Sequence, residues 1–349
     1  MPTFSLEPLL PYPQRSYLLE LASRHAQAVD EDRYCPLTSL QELAARDLLI
    51  QGRQGSLLPQ AALIFDLASK CMATAFSLWA HRACITFFDT VGKDLPTGLT
   101  QASISGSTAM AQAFKDASGL GSIQVRAQSV AGGLKLNGSI SWASNLYPDG
   151  VIVLPVILET AQGSSQKYVV STRVGRAGLT VKPLKGLLAL NATQSGSLTF
   201  KDLIVPEADI LTSDLPSFLA SIRSPFLLLQ SSFCLGLTAA SLEASSQQLQ
   251  GGEKVFTADF ERISQDYHRL RQQLISLAEQ PESAHKNQLL QLRHGLSQLA
   301  IAATHLELAV FGGRAYSQRS ASNRRLRESL FLPVQSPTEG HLRQDLALS

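Results

Sequence analysis

Residues 132–145 read GGLKLNGSISWASN. Leu134, Leu136, Ile140 and Trp142 fall on alternate positions, the spacing of strands with one buried face. The stretches at 131–133 (AGG) and 137–138 (NG) read as turns between such strands. Five further runs rich in β-branched residues lie around this stretch after Pro96: SIQVRAQ, VIVLPVIL, KYVVSTRV, LTVKPL and GSLTFKDLIV. Their spacing favours an antiparallel sheet or barrel over parallel βαβ units. Pro155 inside its run implies an edge strand or a bulge, because proline donates no backbone hydrogen bond.

On either side of this region the period is helical. Ser39 followed by Glu42 fits a capping box, QGRQG at 51–55 breaks the chain, and 59–88 is apolar on nearly every face, as in a buried helix opened by Pro59. Helical period returns near Pro216. Leu289, Leu292, Leu296, Leu299, Ala303, Leu306 and Val310 step by threes and fours, the core stripe of a helix in a bundle. The expected class is α+β in three units: a helical domain over 1–96, an antiparallel β domain over 97–212 and a four-helix bundle over 213–349.

Bulk properties narrow the function. With 44% hydrophobic and 17% charged residues among 349, the chain can bury substantial cores. A net charge of +2 offers no field for nucleic acid, and the cluster Arg324, Arg325, Arg327 reads as a solvated helix face or an anion site. Cys35, Cys71, Cys84 and Cys234 lie far apart, which argues for reduced thiols rather than a disulfide frame or zinc site. The seven histidines show no paired metal spacing. The N-terminus lacks signal-peptide character, and apolar runs such as FLLLQSSFCLGLTAA read as too short or too polar to cross a membrane. The expected location is the cytoplasm.

Several stretches resemble one family. Residues 132–145 are similar to the strand of acyl-CoA dehydrogenases written G-Y-x-L-N-G-x-K-x-W-I-T-N, and 190–211 to the family's L-x-F-x-D-V-x-V-P segment. Residues 310–343 resemble its double-glycine, R-x-x-R-D and E-G-T segments, and 71–81 its helix before the β domain. The resemblance implies helices, a β domain and a C-terminal bundle with FAD between them, in homodimers or homotetramers. It implies transfer of a hydride from an acyl thioester, on CoA or a carrier protein, to flavin and then to an electron acceptor.

The resemblance also assigns roles residue by residue. Glu339 matches the catalytic base of E-G-T; a carboxylate shielded from water gains basicity, and a positioned base contributes on the order of 10²–10⁴-fold. Gly340 and His341 follow it in the flavin-contact positions, with His341 replacing the usual Thr. Trp142 and Ser144 fall where the family flanks the flavin ring; a core Trp and a turn Ser are the competing readings. Gly312 and Gly313 match the double glycine that approaches a neighbour's FAD, while a helix C-cap explains one glycine equally well.

The chain also departs from the family. Over 100–114 the acidic flavin loop is reduced to small residues, among them Ser105, Ser107 and Thr108, which suit flavin oxygens or phosphate and also suit a plain loop. Residues 248–260, QLQGGEKVFTADF, replace the expected R-x-x-F-G element. Three functions therefore compete: an FAD-dependent desaturase using Glu339, a flavin monooxygenase needing no base, and a flavin-poor binding subunit.

Overall fold

A computed structural model of the chain describes residues 3–159, 165–250 and 254–348. Four helices lead: α1 (Arg15–Asp30), α2 (Pro36–Ala44), α3 (Leu58–Lys70) and α4 (Met72–Thr90). Proline opens α2 at its first position and stands in the first turn of α3, where no intrahelical N–H is required. The capping box expected at Ser39 is not formed. Helix α2 has already begun at Pro36, Ser39 is buried within it, and the Glu42 carboxylate accepts from the Tyr17 hydroxyl at 2.8 Å.

The single helix expected over 59–88 is two. Cys71 is extended (φ −152°, ψ 100°) and separates α3 from α4. The Lys70 carbonyl at this break accepts from Arg324 at 2.8 Å, so a distant side chain satisfies a group the helix end leaves free. No proline or glycine marks the site, so local sequence carries no signal of it.

The sheet comprises β1 (Gly106–Thr108), β2 (Arg126–Val130), β3 (Gly133–Ala143), β4 (Val151–Glu159), β5 (Ser165–Arg173), β6 (Leu179–Pro183), β7 (Gly196–Pro206) and β8 (Ile210–Thr212), with helix α5 (Ala111–Ala117) between β1 and β2. The strand order is β6-β7-β3-β2-β4-β5-β8, with β1 paired to β4. The antiparallel expectation holds except at β4, which takes β1 and β2 in parallel along one side. Pro155 sits on that central strand, neither at an edge nor at a bulge. Val151 and Ile157 send their N–H groups to Ser105 and Val125, so position 155 faces the gap where α5 leaves the sheet and no donor is needed.

Asn137-Gly138 is not a turn between strands. It lies inside β3 at a register shift, with Gly138 at φ 134° and an added Cβ only 2.4 Å from the Gln124 carbonyl. The hairpin turn is at 131–132, where Gly132 takes φ 77°.

The C-terminal part contains α6 (Leu215–Leu249), α7 (Thr257–Glu279), α8 (Lys286–Phe311), α9 (Ala321–Ser329) and α10 (Glu339–Ala347). All seven members of the stripe from Leu289 to Val310 are buried on α8. By length and composition α6 could cross a membrane, contrary to the sequence expectation, but 94% of its apolar window is buried inside the fold. It is the central core helix. Helices before and after the sheet share one hydrophobic core, and the sheet encloses a second built on Leu136, Ile152, Leu154, Leu198 and Phe200. The boundaries expected at 96/97 and 212/213 fall in the connections from α4 to β1 and from β8 to α6.

Candidate functional site

A cleft opens where α4, the end of β3, α6 and the chain after α9 meet. It has two lobes, of about 430 and 150 Å³, which share Phe76, Trp142, Ser144, Phe331 and Val334. The larger is within the size range of small-molecule sites. Its walls are aromatic: Phe76 meets Phe331 edge-on at 5.1 Å, and Trp79 meets Phe226 edge-on at 4.9 Å. Trp79 also fixes α4 to α6 through its indole N–H, which donates to the Phe226 carbonyl at 3.2 Å.

Trp142 reaches this cleft because β3 shifts register between Ile140 and Ala143. Strict alternation would put Trp142 on the core face with Leu134, Leu136 and Ile140. The shift buries Ala143 instead and leaves Trp142 43% exposed on the cleft wall.

Ser144 lies in a row of hydroxyls. Its Oγ is 2.8 Å from Ser195 Oγ, which is 3.1 Å from Thr193 Oγ1, and Thr193 donates to the Leu190 carbonyl at 2.8 Å. Leu190 and Gln194 hold left-handed conformations, φ 61° and 46°, and so present Thr193 and Ser195 to the cleft. Ser195 also belongs to the site, and nothing in the local sequence distinguishes it from a turn serine.

Ser105 and Ser107 are buried and do not line the cleft. Their hydroxyls donate to the carbonyls of Asn145 (2.8 Å) and Ser144 (2.6 Å), tying β1 to the end of β3. Asn145 completes this tie, donating to the carbonyls of Ser77 and Gly106. His81, on α4, donates from Nε2 to the Leu99 carbonyl and accepts the Gly106 N–H at Nδ1. Burial pushes its imidazole down to about 4, so it is a neutral structural group.

Among the described residues, three buried side-chain atoms on the cleft lining have no hydrogen-bond partner: Thr108 Oγ1, Gln335 Nε2 and Ser336 Oγ. Among the described residues Lys115 is the one cation on the larger lobe, and neither a carboxylate nor a histidine lines it. Glu339 stands at the first position of α10, just past Thr338, which does line the cleft. Its carboxylate is 2.5 Å from Arg343 and 4.0 Å from His294 Nε2, outside the lining. Burial lowers the His294 pKa, against the raising effect of the Glu339 charge. Gly340 is exposed. His341 is buried and accepts the Thr338 N–H at Nδ1, closing a capping box rather than facing the cleft.

Gly312 and Gly313 are exposed where α8 ends, beside Tyr316 at 82% exposure. Each arginine of the basic cluster has a partner: Arg325 pairs with Glu307, Arg327 with Asp30, and Arg324 binds the Lys70 carbonyl. Buried Cys71 and Cys84 are pushed up to about 11 and 12 and remain thiols. The stretch at 248–260 lies partly outside the described residues.

No protein-family model and no curated protein matches the sequence. Solved structures match over almost the whole length. A glutaryl-coenzyme A dehydrogenase complex with glutaryl-CoA is similar at TM-score 0.84 and 15% identity, covering 97% of this chain and 95% of that one. Butyryl-CoA dehydrogenase from Megasphaera elsdenii is similar at 0.82 and 16%, covering 99% and 98%. KijD3, solved with FMN and a dTDP-linked amino-keto sugar, is similar at 0.81 and 14%, covering 98% and 96%. The chain has the acyl-CoA dehydrogenase fold.

Proposed function

We propose that this protein is a flavin-dependent oxidoreductase whose flavin ring occupies the cleft against Trp142. The observation that carries the proposal is the cleft itself: aromatic walls around three buried polar atoms that lack partners. A planar heteroaromatic group bearing ring carbonyls and nitrogens fits such a lining, since each orphaned donor or acceptor costs about 1–3 kcal/mol until it is met. A bound flavin would supply the redox chemistry, taking a hydride from substrate or, once reduced, meeting dioxygen.

The chain's own residues have definable tasks in this reading. Trp142 offers its open indole face for stacking. Ser144 is left to accept at its oxygen, because Thr193 gives its proton to Leu190, which sets Ser195 to donate to Thr193 and Ser144 to donate to Ser195. Phe76, Trp79, Phe226 and Phe331 keep water from the reacting groups. Thr108 supplies a hydroxyl from the end of β1, within the stretch that stands in place of the family's acidic loop.

Of the possible reactions, oxidation without a protein base agrees best with a lining that, among the described residues, holds no carboxylate. Desaturation of an acyl thioester is the second reading. It is favoured by Glu339 following Thr338 at the rim, and it requires the carboxylate to leave Arg343 and turn inward. A homodimer or homotetramer, with exposed Gly312 and Gly313 meeting a neighbour's cofactor, and an external electron acceptor belong to both readings.

The test is the visible spectrum of the purified protein with and without added FAD or FMN, then turnover with acyl thioesters and with dioxygen consumption followed. A protein that neither carries nor takes up flavin overturns the proposal and leaves the binding-subunit reading.

A further inference from the structure

Gln335 lies between α9 and α10, 4% exposed, on the cleft lining. Its Oε1 accepts from Arg293 at 3.1 Å. A guanidinium only donates, so a carboxamide beside it must offer its oxygen and turn its NH₂ the other way. Here that NH₂ is the buried, unpartnered Nε2 on the cleft. The orientation is doubly enforced. Arg293 also donates from Nε to Gln230 Oε1 at 2.9 Å, which leaves Gln230 to donate to the Ser336 carbonyl at 2.9 Å. One guanidinium thus sets two amides and holds the segment that carries them.

Arg293 itself is fully buried on α8, and no carboxylate lies within 4.0 Å among the described residues. Its NH1 has no partner. An uncompensated buried cation polarises the amide it binds and makes the far N–H a stronger donor. Beside Nε2, Ser336 Oγ is buried and unpartnered as well. The free donor therefore belongs to a residue on the lining of an aromatic chamber and is turned away from a positive interior.

We infer that Gln335 is the ligand-binding donor of this cleft, that Arg293 is the positioning residue that sets it, and that its ligand is an aromatic molecule bearing a carbonyl or carboxylate oxygen. The inference rests on the cleft being the ligand site, as in the proposed function, but not on the cofactor's identity. The oxygen is supplied by a flavin ring or by a substrate.

The experiment titrates FAD, benzoate and benzamide into the full chain and its variants, by fluorescence for FAD and ligand-observed NMR for the others. Gln335→Glu keeps an acceptor for Arg293 and so keeps the fold, but removes the donor; Gln335→Leu controls for its added charge. Both variants weaken the probe that supplies the oxygen by about tenfold to a hundredfold. Loss confined to FAD assigns the oxygen to the flavin; loss of benzoate and benzamide assigns it to substrate. Arg293→Met lowers the benzoate-to-benzamide affinity ratio by about tenfold, a readout that a merely structural role would leave unmoved, with Lys115 constant throughout. Wild-type affinity of all probes in both Gln335 variants, or no probe bound by the wild type, overturns the assignment, and an unchanged ratio overturns the role of Arg293. FAD that binds, with FAD, benzoate and benzamide all indifferent to Gln335, sinks this inference alone. Benzoate binding that depends on Gln335, without any FAD binding, sinks the flavin reading alone.

Discussion

The Glu339 carboxylate and the Arg343 guanidinium lie 2.5 Å apart, one turn along α10, and the pair is at the surface rather than in the cleft. With Arg343 mostly exposed, the pair contributes about 0.3–0.5 kcal/mol to the helix at most. Glu339→Gln is therefore expected to change turnover less than twofold and stability hardly at all. A fall of a hundredfold or more in kcat with an acyl thioester would instead establish Glu339 as the base.

Trp142→Ala and Ser144→Ala bear on the flavin reading. Loss of the indole face should weaken flavin binding more than loss of the hydroxyl, for which about fivefold to tenfold is expected from one neutral hydrogen bond. Fluorescence titration of the apoprotein with FAD reads both, and equal affinity in both variants would remove the flavin from this wall.

Gly106 forms β1 against α4. An added Cβ would stand 2.6 Å from Cys84 Cβ and 3.1 Å from the His81 carbonyl, atoms with no freedom to withdraw. Gly106→Ala should cost about 1–3 kcal/mol through overpacking and disturb the His81 bond to the Gly106 N–H. Gly92→Ala, strained only by its φ of 65° with open space around it, should cost about 1 kcal/mol. Urea denaturation of the two variants checks the order.

Two buried groups oppose each other in acid. His81 is pushed from 6.5 down to about 4 by burial, so the unfolded chain takes its proton first and stability falls as pH drops across that window. Glu328 is pushed from 4.5 up to about 7, also by burial, so the folded state holds its proton and stability falls as pH rises across that window. Each is worth on the order of 3 kcal/mol. Glu328→Gln removes one side of the balance, so the variant should lose stability more steeply than wild type between pH 6.5 and 4.5, measured by denaturation at stepped pH.

Arg82 is buried on α4 with Nε and NH1 unpartnered, and desolvation lowers its pKa to about 10. Replacing such a cation with an apolar side chain of similar length removes its desolvation cost. Arg82→Met is expected to be stabilising by about 1–4 kcal/mol, read as a raised Tm. A clear loss of stability would show that Arg82 meets a partner in the working protein.

The sequence by itself determined the order of helices, sheet and helices, the buried stripe from Leu289 to Val310, and the hairpin turn at Gly132. These depend on hydrophobic period and turn chemistry, which are local. It also drew attention to Trp142 and Ser144, but left open whether Trp142 was core or cleft. Tertiary structure decided that through the register shift after Ile140, because slipping one residue moves a side chain to the other face. It likewise broke the helix at Cys71, turned Ser105 and Ser107 toward backbone, kept Glu339 on Arg343, and brought Gln230, Arg293 and Gln335 together from three separate segments. Polar residues such as Gln230 and Arg293 amid leucines were visible in the sequence, but hydrogen bonds between segments up to 105 residues apart (335 minus 230) are set by packing, and local pattern does not encode them.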